Sequence, residues 1–209
     1  QNVAVLAEGK YDGFLIDGLD TFLLVPPNNE TDRESDAFRT AFLELVDKVH
    51  SDEVKGKLIV GINLAQTLNN HPWYVKDREK NWKDNSTYYM WLPDSPLTKT
   101  NTSIFWNFDI DVKKFAATRE SGDERAYLNY ANPEVLDKMR ARVLAWVRTK
   151  VDGIQVDGDL FVGPSGDKKD PHPCSDVLQT VHKWVKSGGQ NKAFLLANSK
   201  LAAELAAKG

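Results

Sequence analysis

The sequence predicts an α/β fold built on a parallel sheet, and three observations carry that prediction. Short apolar runs of strand length recur at residues 21–25, 57–62, 151–156 and 194–197. Between them lie stretches whose apolar residues repeat at spacings of three and four, the period of one helix face. The two kinds of segment alternate, as parallel strands joined by crossover helices must.

In order, residues 2–16 hold Val3, Val5, Leu6, Phe14 and Leu15 in a mixed pattern, and Gly9 and Gly13 weaken a helix there. Residues 21–25 read as a buried strand, closed by Pro26-Pro27 and a polar loop over 28–35. From Ser35, a candidate N-cap, Phe38, Phe42, Leu45, Val46 and Val49 line one helix face. Residues 57–62 give the next strand, and strand–helix–strand implies a right-handed crossover.

Residues 66–131 break the rhythm, being rich in aromatics, Asn, Pro and charge. A structureless loop of that length does not fit inside a compact domain, so this stretch is expected to be an insertion with structure of its own. Helical periodicity returns after Asn132-Pro133, a cap followed by a proline suited to the first turn. Val135, Met139, Val143, Trp146 and Val147 form its stripe. The strand at 151–156 follows, then a Gly/Pro/Asp loop over 163–175. Val177, Val181, Trp184 and Val185 form a further helix face that stops at Gly188-Gly189. The strand at 194–197 leads into an Ala-rich helical tail. Periodicity alone leaves open whether the sheet is open or closed into a barrel.

With 209 residues, 41% of them hydrophobic, the chain can bury a sizeable core. A net charge of -3 with mixed signs gives no basic patch for nucleic acid, so no nucleic-acid partner is expected. No apolar run approaches the roughly 20 residues of a membrane span, and no signal-peptide pattern opens the chain. Cys174, the single cysteine, reads as a structural thiol, since it can form neither an internal disulfide nor a cysteine metal cluster. His50, His71, His172 and His182 are scattered without ligand spacing and read as surface or packing residues. Strand alternation sets Asp152 on the opposite face from Asp157 and Asp159, so these read as turn and rim carboxylates. No metal and no cofactor is expected. Asn29, Asn85 and Asn101 each begin an N-glycosylation sequon in a polar, loop-like stretch.

Several segments together carry a resemblance. They are residues 57–61 running on to Thr67, His71-Pro72-Trp73-Tyr74, Tyr88-Tyr89-Met90-Trp91, the LNYANPEV of residues 128–135 and the VDGIQVD of residues 151–157. In this order and spacing the chain resembles the α-amylase-like glycosidases from about residue 15 to residue 198. The resemblance implies part of a TIM (β/α)8 barrel, about strands two to five. Residues 1–65 would run from helix one to strand three, 66–131 would be the inserted domain B, and 132–209 would run from helix three to strand five and the following helix. A whole barrel takes about 250 residues, so a partner segment covering the strand edges is expected.

Retaining glycosidases need two carboxyl groups, a nucleophile and a general acid. The resemblance puts the nucleophile at Asp157. The arginine that would hold it ionised, two residues earlier, is Gln155, which is neutral. The acid ending strand five falls on Asn198, and the next glutamate, Glu204, belongs to the following helix. The family's Asp, Asn and His after strand three fall on Gly61, Ala65 and Gln66. Losing a general acid alone costs about 10²–10⁴ in rate, so no turnover is expected. Trp73, Trp82, Tyr88, Tyr89, Trp91 and Trp106 read as the small core of the insert rather than as a sugar-stacking surface.

This pattern of loss is similar to that of the heavy subunits of heteromeric amino acid transporters (rBAT-like), a branch that keeps the barrel without catalysis. The resemblance implies a non-catalytic, glycosylated ectodomain on the extracellular face of the plasma membrane. Its partner would be a multi-spanning light subunit, and its membrane contact would come through a segment not present in this chain. Two other classes stay open. One is an α-glucosidase- or amylase-like hydrolase that uses Asp157 with an acid from elsewhere. The other is a carbohydrate-binding relative without activity.

Overall fold

The computed structural model describes residues 13–17, 33–78, 87–92, 105–109, 114–118, 124–157, 161–162, 172–173, 175–187 and 194–197. The strand expected at 21–25, the Gly188-Gly189 cap, the Ala-rich tail, Cys174, Asp159 and the three sequon asparagines lie outside them. In chain order the elements are β1 (Gly13–Ile16), α1 (Arg33–His50), β2 (Lys57–Asn63), β3 (Gln66–Leu68), α2 (Pro72–Asp77), β4 (Trp91–Leu92), β5 (Phe105–Asp109) and β6 (Lys114–Thr118). They continue with β7 (Arg125–Tyr127), α3 (Pro133–Arg148), β8 (Gly153–Asp157), β9 (Phe161–Val162), β10 (His172–Pro173), α4 (Ser175–Ser187) and β11 (Phe194–Ala197). The chain forms two compact units, one of Gln1–Asn63, Arg140–Asp157 and Gln179–Gly209, the other of Leu64–Met139 and Gly158–Leu178.

In the first unit β1, β2, β8 and β11 form a four-stranded sheet in that order, with every pairing parallel. Spatial order follows chain order without the reversal that a doubly wound sheet shows. With helices between successive strands, this is a sector of a (β/α)8 barrel. Leu58, Val60, Ile62, Ile154 and Val156 are fully buried. Burying such side chains is worth about 1.5–3 kcal/mol each. Against them the helices contribute Phe42, Val46 and Val49, Val143, Trp146 and Val147, and Val181, Trp184 and Val185. The rings of Phe42 and Trp146 meet edge to face at 5.1 Å, a geometry favoured by the aromatic quadrupole. On the alternate positions Ile59 is half-buried, and its register partner Leu15 is 50% exposed.

One Asp152 oxygen, Oδ2, accepts from Leu58 N at 2.8 Å and lies 2.7 Å from His50 Nε2. Asp152 N donates to Leu58 O at 2.8 Å. The residue thus ties the starts of β2 and β8 to the last residue of α1. That is the turn role read from the sequence for Asp152, with His50 as its packing partner.

The strand that pairs with β2 is β1, in a stretch to which the sequence assigned no element, its glycines arguing only against a helix. Gly13 suits the pairing, because a Cβ there would meet the Lys57 carbonyl oxygen at 3.2 Å. Helix α1 begins at Arg33, so Ser35 lies inside it rather than capping it. Asn132 caps α3, its Oδ1 accepting from Glu134 N at 2.9 Å, with Pro133 as the first helical residue.

The second unit carries an antiparallel sheet in the order β3-β7-β6-β4, with β5 also on β6. Its strands are two to five residues long. β9 and β10 form a separate antiparallel pair. Short antiparallel strands leave little periodicity in the sequence, and the stretch that lacked a period does carry structure. Among the described residues no helix is long and apolar enough to cross a membrane.

Candidate functional site

In parallel α/β sheets ligands bind at the carboxyl ends of the strands. In the first unit that edge is set by Asp17, just after β1, by Asn63 ending β2 and by Asp157 ending β8. Asn63 and Asp157 are register partners, and two residues back Gly61 pairs with Gln155. Since residues i and i+2 of a strand share a face, these four positions lie on one face of two adjacent strands. Gln155 therefore stands one pleat below the nucleophile position, where the resemblance expects a cation, and it brings an uncharged amide. It is half-buried, while Asn63 is buried. The Asp157 side chain and all of Asn198 lie outside the described residues.

Asp17 is the residue that sequence reading missed. Its carboxylate lies directly over Gly61, where a Cβ would sit 2.5 Å from Asp17 Oδ1. The signal in the sequence was the glycine itself. A glycine inside an apolar strand often marks close approach by another group.

Ala65 and Gln66 belong to the second unit, and both are buried. Gln66 Nε2 donates a long hydrogen bond of 3.4 Å to Arg125 O. It is thus held as a structural amide of the small sheet.

The second unit is organised around the HPWY segment. His71 caps the short helix α2, its Nδ1 accepting from Trp73 N at 3.2 Å. Asp77, at the end of α2, is fully buried. It accepts from Tyr88 N at 2.8 Å, Tyr89 N at 2.9 Å and Trp91 Nε1 at 2.9 Å. The Tyr-Tyr-Met-Trp segment is thereby fastened to α2 through one carboxylate. Tyr74 OH and Arg78 Nε both donate to Asp109 Oδ2, each at 3.0 Å. Tyr88 OH donates to Glu134, and the Lys138 ammonium lies 5.1 Å from the Trp73 ring centre and 5.8 Å from that of Tyr88.

Burial pushes the phenols of Tyr74 and Tyr89 well above the usual tyrosine value, with Asp109 adding to the first and Asp77 to the second. Burial, then the bond to Glu134, does the same for Tyr88. Such phenols stay protonated and do not act as bases; those of Tyr74 and Tyr88 donate to carboxylates. Tyr74, Tyr88, Tyr89 and Trp91 are buried, and Trp73 is half-buried under Lys138. They form a core, as the sequence reading had it; the side chains of Trp82 and Trp106 lie outside the described residues. Among the described residues no group of three or more His, Cys, Asp or Glu is placed to hold a metal. His182 is exposed on α4, and of His172 only the backbone, paired with Val162, is described.

Known proteins place this geometry. Probable oligo-1,6-glucosidase 2 of Bacillus subtilis (strain 168) is 28% identical over 164 residues, which are 69% of this chain and 28% of that protein. The amino acid transporter heavy chain SLC3A1 of Mus musculus is 27% identical over 131 residues, 58% of this chain and 18% of that one. The chain therefore spans less than a third of either relative. Among solved structures, the alpha-glucosyl transfer enzyme XgtA superposes with a TM-score of 0.64 at 14% identity, over 94% of this chain and 44% of its own. The trehalose-6-phosphate hydrolase TreA of Bacillus licheniformis gives 0.62 at 16% identity, over 94% of this chain and 39% of its own. These two speak to the fold, a partial TIM barrel of the amylase type. Residues 38–206 match the family model of the alpha-amylase catalytic domain. With most of its length under that model, the chain belongs to the alpha-amylase catalytic-domain family.

Proposed function

We propose that this chain is part of the non-catalytic ectodomain of an amino acid transporter heavy subunit, which supports transport through a multi-spanning light-subunit partner. The observation that carries the reading is Gln155, one pleat below Asp157 and beside Gly61, where the family resemblance puts an arginine and an aspartate. A neutral amide there cannot hold a nucleophilic carboxylate ionised as a cation does. Asn198 at the position of the general acid points the same way, and a transporter heavy chain stands among the relatives. In this reading the domain lies on the extracellular face of the plasma membrane, with Asn29, Asn85 and Asn101 as glycan acceptors.

The test uses the full-length protein expressed in animal cells, extracted gently and run without reductant. Co-migration with a multi-spanning partner that separates on reduction is the expected result. A protein that runs alone and soluble sinks the transporter reading.

A second reading is an α-glucosidase- or amylase-like hydrolase. Two observations favour it: the aspartate at position 157 is kept, and a glucosidase is 28% identical to this chain. Its requirement is a proton donor from a residue other than Asn198. A sugar-binding relative without turnover would instead show a saturable change in Trp fluorescence on titration with maltose.

A further inference from the structure

The close approach of Asp17 to Gly61 joins two facts that look unrelated in the sequence. At position 61 the family resemblance expects a carboxylate on β2, and this chain has a glycine. The space that a side chain at 61 would enter holds the carboxylate of Asp17, which follows β1, the next strand of the sheet. We propose that Asp17 is a relocated carboxylate. The acid missing from β2 is supplied from β1, and Gly61 is required because Asp17 fills the place of its side chain.

The geometry gives three reasons. A Cβ on Gly61 would lie 2.5 Å from Asp17 Oδ1, 3.1 Å from its Cγ and 3.3 Å from its Cα. The first two contacts belong to the side chain and vanish if it is shortened to a methyl group. The third is backbone and persists, so some of the tightness stays. Gly61 also sits inside a strand whose neighbours Val60 and Ile62 are fully buried, a setting where glycine weakens a strand unless close approach demands it. Finally, Asp17 is exposed and lies at the carboxyl edge of the sheet, on the side of Gly61 away from Gln155. The negative charge at this edge thus stays over β2 while its origin in the chain moves by one strand.

A consequence follows for any attempt to rebuild the family's residues. Gly61→Asp alone would set two carboxylates in overlapping space, whereas Gly61→Asp with Asp17→Ala would return one carboxylate to β2. The test is a double-mutant cycle in the whole protein, read by thermal unfolding. Gly61→Ala is expected to lower the midpoint by roughly 2–4 °C in the native background and in Asp17→Asn, which keeps the shape and removes the charge. In the Asp17→Ala background at least half of that drop should disappear. Gly61→Asp should cost more than Gly61→Ala in the native background, and should also be relieved by Asp17→Ala. Equal drops in all three backgrounds overturn the proposal, because Gly61 would then be needed for reasons unrelated to Asp17. Since the readout is stability, it stands or falls apart from the transporter reading.

Discussion

In the parallel-sheet unit the described buried side chains are nearly all apolar, from Leu58, Val60 and Ile62 on β2 to Val143, Trp146 and Val147 on α3, with Asn63, Arg142 and Thr149 as the polar exceptions. In the other unit Gln66, Asp77, Thr87, Thr118, Asn129 and Asn132 are buried beside Tyr74, Tyr88, Tyr89 and Trp91. The first is held by packing, which is non-directional and scales with area. The second adds aimed hydrogen bonds, and its buried groups are costly to leave unpaired. Short strands of two to five residues cannot build a deep apolar layer, so polar fastening takes a larger share there.

The contrast breaks or sharpens under substitution. In the sheet unit truncation should hurt most. Trp146→Ala removes a fully buried indole and its contact with Phe42, and should cost about 3–5 kcal/mol by denaturant unfolding. In the insert unit a nearly isosteric polar change should approach that scale. Asp77→Asn turns one acceptor oxygen into a donor that faces at least one backbone N–H, and should cost about 2–4 kcal/mol. Near-ultraviolet circular dichroism would report the loosened Tyr and Trp residues. A cost for Asp77→Asn below about 1 kcal/mol would mean that the insert is held by packing after all.

Alkaline pH gives a smaller and more selective test. The phenols of Tyr74 and Tyr89 are raised in the folded state, so they bind protons more tightly folded than unfolded. Their contribution is fully present below the unfolded tyrosine value of about 10 and is lost as pH rises through the folded values. Stability should therefore fall as pH climbs above about 10, and less steeply in Tyr74→Phe. Near-ultraviolet absorbance of phenolate should rise for these residues only as the unit unfolds. The smallest effects belong to the Asp152 tie. Asp152→Ala leaves Leu58 N without its carboxylate and should cost about 1–2 kcal/mol. His50→Ala removes only a partly exposed pair and should cost less than about 1 kcal/mol.

The same division decided what was legible beforehand. α3 and α4 were readable because three-and-four spacing marks one helix face, and β2, β8 and β11 because strands of a parallel sheet read as short apolar runs. β1 was not, since glycines and a mixed pattern hid a strand of only four residues. In the insert the Tyr-Tyr-Met-Trp segment was visible, but not its acceptor. Asp77 lies eleven residues from Tyr88, and nothing in local spacing pairs them. At the site, Gln155 was legible through the family resemblance. Asp17 was not, because it reaches Gly61 only once β1 and β2 are side by side.

The non-catalytic reading proposed for this member of the alpha-amylase family is tested most directly by hydrolysis. Full-length protein would be incubated with an aryl α-glucoside beside its Asp157→Asn variant, and phenol release followed. The expected result is release no faster than in buffer, the same for both proteins. Turnover that Asp157→Asn abolishes would contradict the account and make the chain part of a working glycosidase.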